Sequence, residues 1–218
     1  MFKWKKLGRI LDPESSKSYD WIEEFAQAPS MIVEHDLLRV FFCSRAKPDA
    51  SGQYVSRLGY ADLDPSDLTK VVKISARPVL PLGKIGEFDE FGTYPVSVIK
   101  SGDELWAYYA GWTRCESVPF NAAIGLAKSQ NMGVYFEKYG SGPVLGYSPD
   151  EPFVLGSPKI RFFDGKWYLW YSAGKKWVGD STSRPEPVYK IRMASSTDGV
   201  NWEKQGKDII ESVLEENE

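Results

Sequence analysis

Alternation of apolar and polar residues dominates this chain, in short runs broken by tight turns. Ala28-Pro29-Ser30-Met31-Ile32-Val33 is followed by the dipeptide His35-Asp36 and a second run from Leu37 to Ser44. Tyr94-Pro95-Val96-Ser97-Val98-Ile99 is followed by Gly102-Asp103 and the run from Glu104 to Gly111. Ser157-Pro158-Lys159-Ile160-Arg161-Phe162-Phe163 is followed by Asp164-Gly165 and the run from Lys166 to Ala173. Period-two alternation bounded by Gly and Asp turns predicts antiparallel strands joined as hairpins.

The three segments are one repeat. Their prolines, at 29, 95 and 158, recur at intervals of 66 and 63 residues. A third run follows in each unit: Tyr54 to Asp62, Ala122 to Ser129, Tyr189 to Ser196. In the second and third units, turns at Gly133 and Asp198-Gly199 lead into Tyr135-Phe136-Glu137-Lys138 and Asn201-Trp202-Glu203-Lys204. Four strands per unit predict an all-β fold of propeller blades, about 25–80, 92–145 and 156–210, within one domain over 1–218. Residues 2–11, with Phe2-Lys3-Trp4-Lys5-Lys6-Leu7-Gly8, resemble a fourth strand alone, so an N-terminal strand completing a blade is expected. Three units and one strand fall short of the roughly four blades that close a ring. A chain truncated from a larger propeller is the expectation, and its open blade edges offer a route to self-association.

A meander puts its strand-two-to-three loops and its between-blade connections on one face. Here these are the long, chemically rich segments, and function concentrates on such loops. They carry Arg45; Asp89 and Glu90; Trp112, Arg114, Glu116 and Asn121; and Trp177 and Glu186. With Tyr189 and Arg192 from the strand that follows, these residues supply stacking surfaces and hydrogen-bonding groups suited to a hydroxyl-rich ligand. Each also has a plain structural role open to it. The arginines could tie blades together, the tryptophans cap blade packing, Asp89 and Glu90 sit solvated in their loop, and Glu186 stiffen a turn between two prolines.

Composition removes most other chemistries. His35 is the single histidine and falls on a short hairpin of the opposite face, which argues against a Ser-His-Asp or Cys-His site. Zinc sites need several His or Cys ligands, which are missing, and no metal or other cofactor is expected. Lys and Arg number 27 against 30 Asp and Glu, far from the footprint of a nucleic-acid binder. No apolar run of about 20 residues suggests a membrane span. Met1 to Lys6 lacks the apolar region of a signal peptide, so a cytoplasmic location is expected. Carboxylate chemistry remains. Glycoside hydrolysis needs two acids flanking the scissile bond, and Asp89 with Glu186 is the expected catalytic pair.

The stretches Glu24 to Ser30, Gly86 to Pro95, Tyr108 to Trp112, Val118 to Asn121, Gly156 to Pro158 and Pro185 to Arg192 resemble those of five-bladed β-propeller glycosidase-like proteins. That superfamily includes arabinanases, invertases and levansucrases, and an uncharacterised bacterial branch is the more similar. The resemblance implies five blades and a carbohydrate ligand, here a bacterial polysaccharide or glycoconjugate. It also marks a departure. In the hydrolases a catalytic acid often stands directly before the inner-strand proline, whereas Ala28, Tyr94 and Ser157 stand there in this chain. A non-catalytic carbohydrate-binding propeller is therefore the alternative to a glycosidase.

Overall fold

A computed structural model of the protein describes residues 3–16, 19–50, 52–179 and 184–210. Two-residue turns set the pattern. Strands β1 (Glu24–Glu34) and β2 (Leu37–Arg45), β5 (Gly92–Ser101) and β6 (Glu104–Arg114), and β9 (Phe153–Phe163) and β10 (Lys166–Val178) form three tight hairpins. In the last, Asp164 and Gly165 both adopt positive φ, at 51° and 72°. This is the turn geometry that follows the right-handed twist of paired strands.

Each hairpin gains a third and a fourth strand. These are β3 (Ser56–Asp64) with β4 (Asp67–Ile74), β7 (Phe120–Ser129) with β8 (Glu137–Lys138), and β11 (Glu186–Ser196) with β12 (Glu203–Lys204). Pairing is antiparallel in chain order within each group. A single parallel bridge, Ser56 to Gly92, links the first two groups into one sheet. Of residues 2–11, where an extra strand is expected, residue 2 lies outside the described residues and residues 3–11 have no ladder partner among them.

The groups stack face to face, as blades do. Along β10, Trp167, Leu169, Tyr171 and Ala173 are buried, while Tyr168, Trp170 and Ser172 between them are not fully covered. The buried set packs on Tyr108, Ile124 and Leu126 of the preceding blade, and Trp106 stacks on Trp167 at 5.2 Å. Between the first two blades, Phe41, Leu58 and Tyr60 meet Val96, Ala107, Tyr109 and Phe136. Fully burying one such large apolar side chain contributes about 1.5–3 kcal/mol. The packed faces therefore dominate what holds the blades together.

The outer side of the first blade is closed by Trp21, which stacks on Phe42 at 5.6 Å and donates its indole N–H to the Ser75 carbonyl. Its ring fills the space over Gly59. A Cβ added there would stand 1.9 Å from Trp21 Cη2 and 2.8 Å from Ser75 Oγ. Gly59→Ala must displace the indole, and a loss of about 1–3 kcal/mol is expected from chemical denaturation. An unchanged midpoint would show that Trp21 moves freely.

Candidate functional site

The described residues of the connections from β2 to β3 and from β6 to β7 lie at the same end of the blades as Arg184 and Pro185, which precede β11. Together with the connection before β5 they enclose a cleft of about 600 Å³. The first blade contributes Arg45 and Tyr54, the second Trp112, Arg114 and Phe120, and the third Arg184, Glu186 and Tyr189, with Phe91 from the connection. A second hollow of about 250 Å³ adjoins it. That hollow shares Trp112, Phe120 and Tyr189 and reaches Tyr94 and Ser157 beside the inner-strand prolines.

Aromatic rings form a fixed wall. Trp112 stacks on Phe120 at 4.6 Å, and Trp177 meets the same Phe120 edge-on at 5.6 Å. The Trp112 indole N–H donates to the Tyr94 carbonyl, which fixes the ring's orientation. Arg114 lies over Phe91 at 4.2 Å and pairs with Asp49 at 2.6 Å. Arg45 lies 4.9 Å from the Phe25 ring and 5.4 Å from that of Tyr54. The Tyr54 hydroxyl donates to Glu24 at 3.1 Å.

Of the residues expected at a site, Arg45, Trp112, Arg114, Glu186 and Tyr189 line the cleft, and Trp177 supports its aromatic wall. Asn121 is half-buried beside Phe120, its side-chain oxygen accepting the Ala122 N–H. Glu116 is exposed, and the cleft lining does not include it. Glu90 caps its own loop by accepting the Gly86 N–H at 2.9 Å. Gln53, Tyr54, Phe91, Phe120 and Arg184 also line the cleft and were not among the expected site residues, although Phe91 and Phe120 lie inside stretches already singled out and Arg184 directly before one.

Asp89 stands apart from the cleft. Its side chain is wholly buried, accepts the Tyr109 hydroxyl at 2.8 Å and pairs with Lys138 at 2.6 Å. Gly83 closes over it, since a Cβ there would stand 2.3 Å from Asp89 Oδ1. Of the expected pair, the cleft lining includes Glu186 and not Asp89. Arg192 is likewise buried, paired with Glu151 at 3.1 Å and Asp208 at 2.8 Å. Glu151 repeats the Asp89 arrangement one blade on: it accepts the Tyr171 hydroxyl at 2.9 Å and pairs with Lys204 at 2.6 Å. Burial by itself would raise the Glu151 pKa. Hydrogen bonds from Lys204, Arg192 and Tyr171 outweigh it and hold the carboxyl below its ordinary value. Burial, followed by the neighbouring carboxylates, pushes the Tyr109 and Tyr171 hydroxyls well above the usual tyrosine range. Both hydroxyls therefore stay protonated as donors.

No protein-family model matches the chain. It is 34% identical, over 215 residues, to the uncharacterized protein Rv1502 of Mycobacterium tuberculosis, an alignment covering 98% of this chain and 68% of that one. The chain belongs to the family of that protein. Over 144 residues it is 24% identical to a beta-1,2-mannobiose phosphorylase of Thermoanaerobacter sp., covering 61% of this chain and 44% of the enzyme. Among solved structures, the Bombyx mori GH32 beta-fructofuranosidase BmSUC1 matches 87% of the chain with a TM-score of 0.61 and 22% identity. Zg3597, a family 117 glycoside hydrolase of Zobellia galactanivorans, matches 86% with a TM-score of 0.61 and 17% identity. The three blades have the fold of the matched parts of these β-propeller enzymes. The chain spans 36% of the first of these structures and 48% of the second.

Proposed function

We propose that the cleft binds a carbohydrate, and that the chain is the glycan-handling part of a glycosidase-like propeller acting on a bacterial polysaccharide or glycoconjugate. The observation that carries this reading is the fixed aromatic wall of Trp112 and Phe120 facing arginines and one free carboxylate. A sugar ring presents an apolar C–H face to an aromatic ring and hydroxyls to charged donors and acceptors. Glu186 makes no side-chain hydrogen bond or ion pair among the described residues and lines the cleft. It is the proposed catalytic acid, delivering a proton to the oxygen of the departing sugar.

The relation to a mannobiose phosphorylase and the fold shared with glycoside hydrolases support a reaction that breaks a glycosidic bond. A second reading, carbohydrate binding without turnover, is favoured by one observation. Tyr94 and Ser157, which stand where the hydrolases often place an acid, reach the adjoining hollow without a carboxylate.

Glycan-array binding followed by incubation with each bound glycan separates the two. Trp112→Ala is expected to weaken binding about tenfold or more, as loss of a buried aromatic anchor does. Glu186→Gln is expected to bind normally and to stop cleavage. Undiminished binding by the Trp112 variant would remove the cleft from the function. Binding with no turnover by the unmodified chain would select the non-catalytic reading.

A further inference from the structure

We infer that the ligand of this cleft carries an oxyanion on the sugar itself, a uronate carboxylate or an equivalent phosphate ester. The inference rests on the carbohydrate reading above and names the class of sugar. Three arginines and a single carboxylate are among the residues lining the cleft, although the chain as a whole carries a net charge of −3. The excess of positive charge is therefore local.

The state of each arginine sharpens the point. Arg114 is already answered by Asp49 at 2.6 Å. Arg184 is exposed on the third blade and has neither an ion pair nor a hydrogen bond among the described residues. Arg45 is the most informative. Its guanidinium lies against the Phe25 and Tyr54 rings, and its Nε is buried without a hydrogen-bond partner. Glu24, whose carboxylate accepts from Tyr54, forms no ion pair with it.

Aromatic contacts occupy the faces of a guanidinium and leave its in-plane N–H groups to donate. A buried N–H donor left unmet costs about 1–3 kcal/mol, and a planar fork is met best by a carboxylate or phosphate in bidentate geometry. A neutral hydroxyl satisfies one N–H at a time and leaves the charge unanswered. An anionic sugar bound on Trp112 and Phe120 can bring its oxyanion to Arg45 on one wall and to Arg184 on another.

The test uses the whole chain on an array of uronate-containing and phosphorylated oligosaccharides. The same uronate glycans after chemical reduction of their carboxyls to alcohols, and inorganic phosphate alone, complete the panel. Acidic glycans are expected to bind at least tenfold more tightly than their reduced counterparts, with affinity falling as salt is raised. Arg45→Gln should bring the ratio of acidic to reduced glycan affinity down to about one, whatever it does to the affinity for the reduced glycans. Arg45→Lys, which keeps the charge and loses the fork, should fall between. If Arg45→Gln does not fold, Arg184→Gln on the exposed rim carries the same comparison.

Equal binding of acidic and reduced glycans would overturn the inference and leave the carbohydrate reading standing. Binding of no glycan would remove both. Inorganic phosphate bound alone with the same dependence on Arg45, and needed before neutral glycans bind, would assign the fork to a free anion and overturn the proposal.

Discussion

Glu151→Gln is expected to lower the stability of the folded chain by about 3 kcal/mol, read as a shifted midpoint in urea. The carboxylate is almost fully enclosed and answers Lys204, Arg192 and the Tyr171 hydroxyl at once. Removing one partner of a buried pair leaves the other charge without compensation, and such losses run to about 3–5 kcal/mol. The lower end applies because Arg192 keeps Asp208 and Lys204 keeps the Gly146 carbonyl. The pH dependence follows from the depressed folded pKa. A carboxyl held below its ordinary value of 4.5 contributes its stabilisation in full above that value and loses it as pH falls through the folded pKa. The unmodified chain should weaken progressively below about pH 4.5, and the variant should show a shallower acid limb. The same acid limb in both would mean that Glu151 is not a source of the pH dependence.

The second large effect separates support from chemistry. Asp89→Ala is expected to cost about 3 kcal/mol, because it leaves Lys138 only its longer pairing with Glu87 at 3.7 Å and the Tyr109 hydroxyl without its acceptor. Glu186→Gln, on the surface of the cleft, is expected to stay within about 0.5 kcal/mol of the unmodified chain. Thermal melting of the two variants side by side makes the comparison. A normal melt for Asp89→Ala with loss of glycan cleavage would return Asp89 to the reaction. A collapsed melt for Glu186→Gln would make that residue part of the scaffold.

The strands were legible because their cues are local. A proline, an alternating run and a Gly or Asp turn lie within a few residues of one another, and backbone geometry turns them into a hairpin. The rich face was legible for the same reason, since loop length shows directly in the sequence. The fate of a charge on that face was not. Asp89 and Glu90 are adjacent, yet one is sealed against Tyr109 and Lys138 while the other caps its own turn. Their partners lie 20 and 49 residues ahead of Asp89 in the one case and four residues behind Glu90 in the other. Arg192 shows the same difficulty: on a strand, its side of the sheet is set by register, and register places it beside Glu151 instead of the cleft. Phe120 was hidden for another reason. As the first residue of β7 it reads as an ordinary strand aromatic, and only the approach of Trp112 from β6 and Trp177 from β10 makes it the centre of a wall.

The paired carboxylate–tyrosine–lysine ties also serve as a ruler. In both blades that have one, the acid precedes the tyrosine by 20 residues. The spacing is set by the path from the between-blade connection, through one hairpin, to the middle of the second strand. Substitutions on the outer loops leave that path unchanged. The tie thus fixes how far each of these two connections must run before its second strand reaches the tyrosine, independently of the proline and the turn dipeptide.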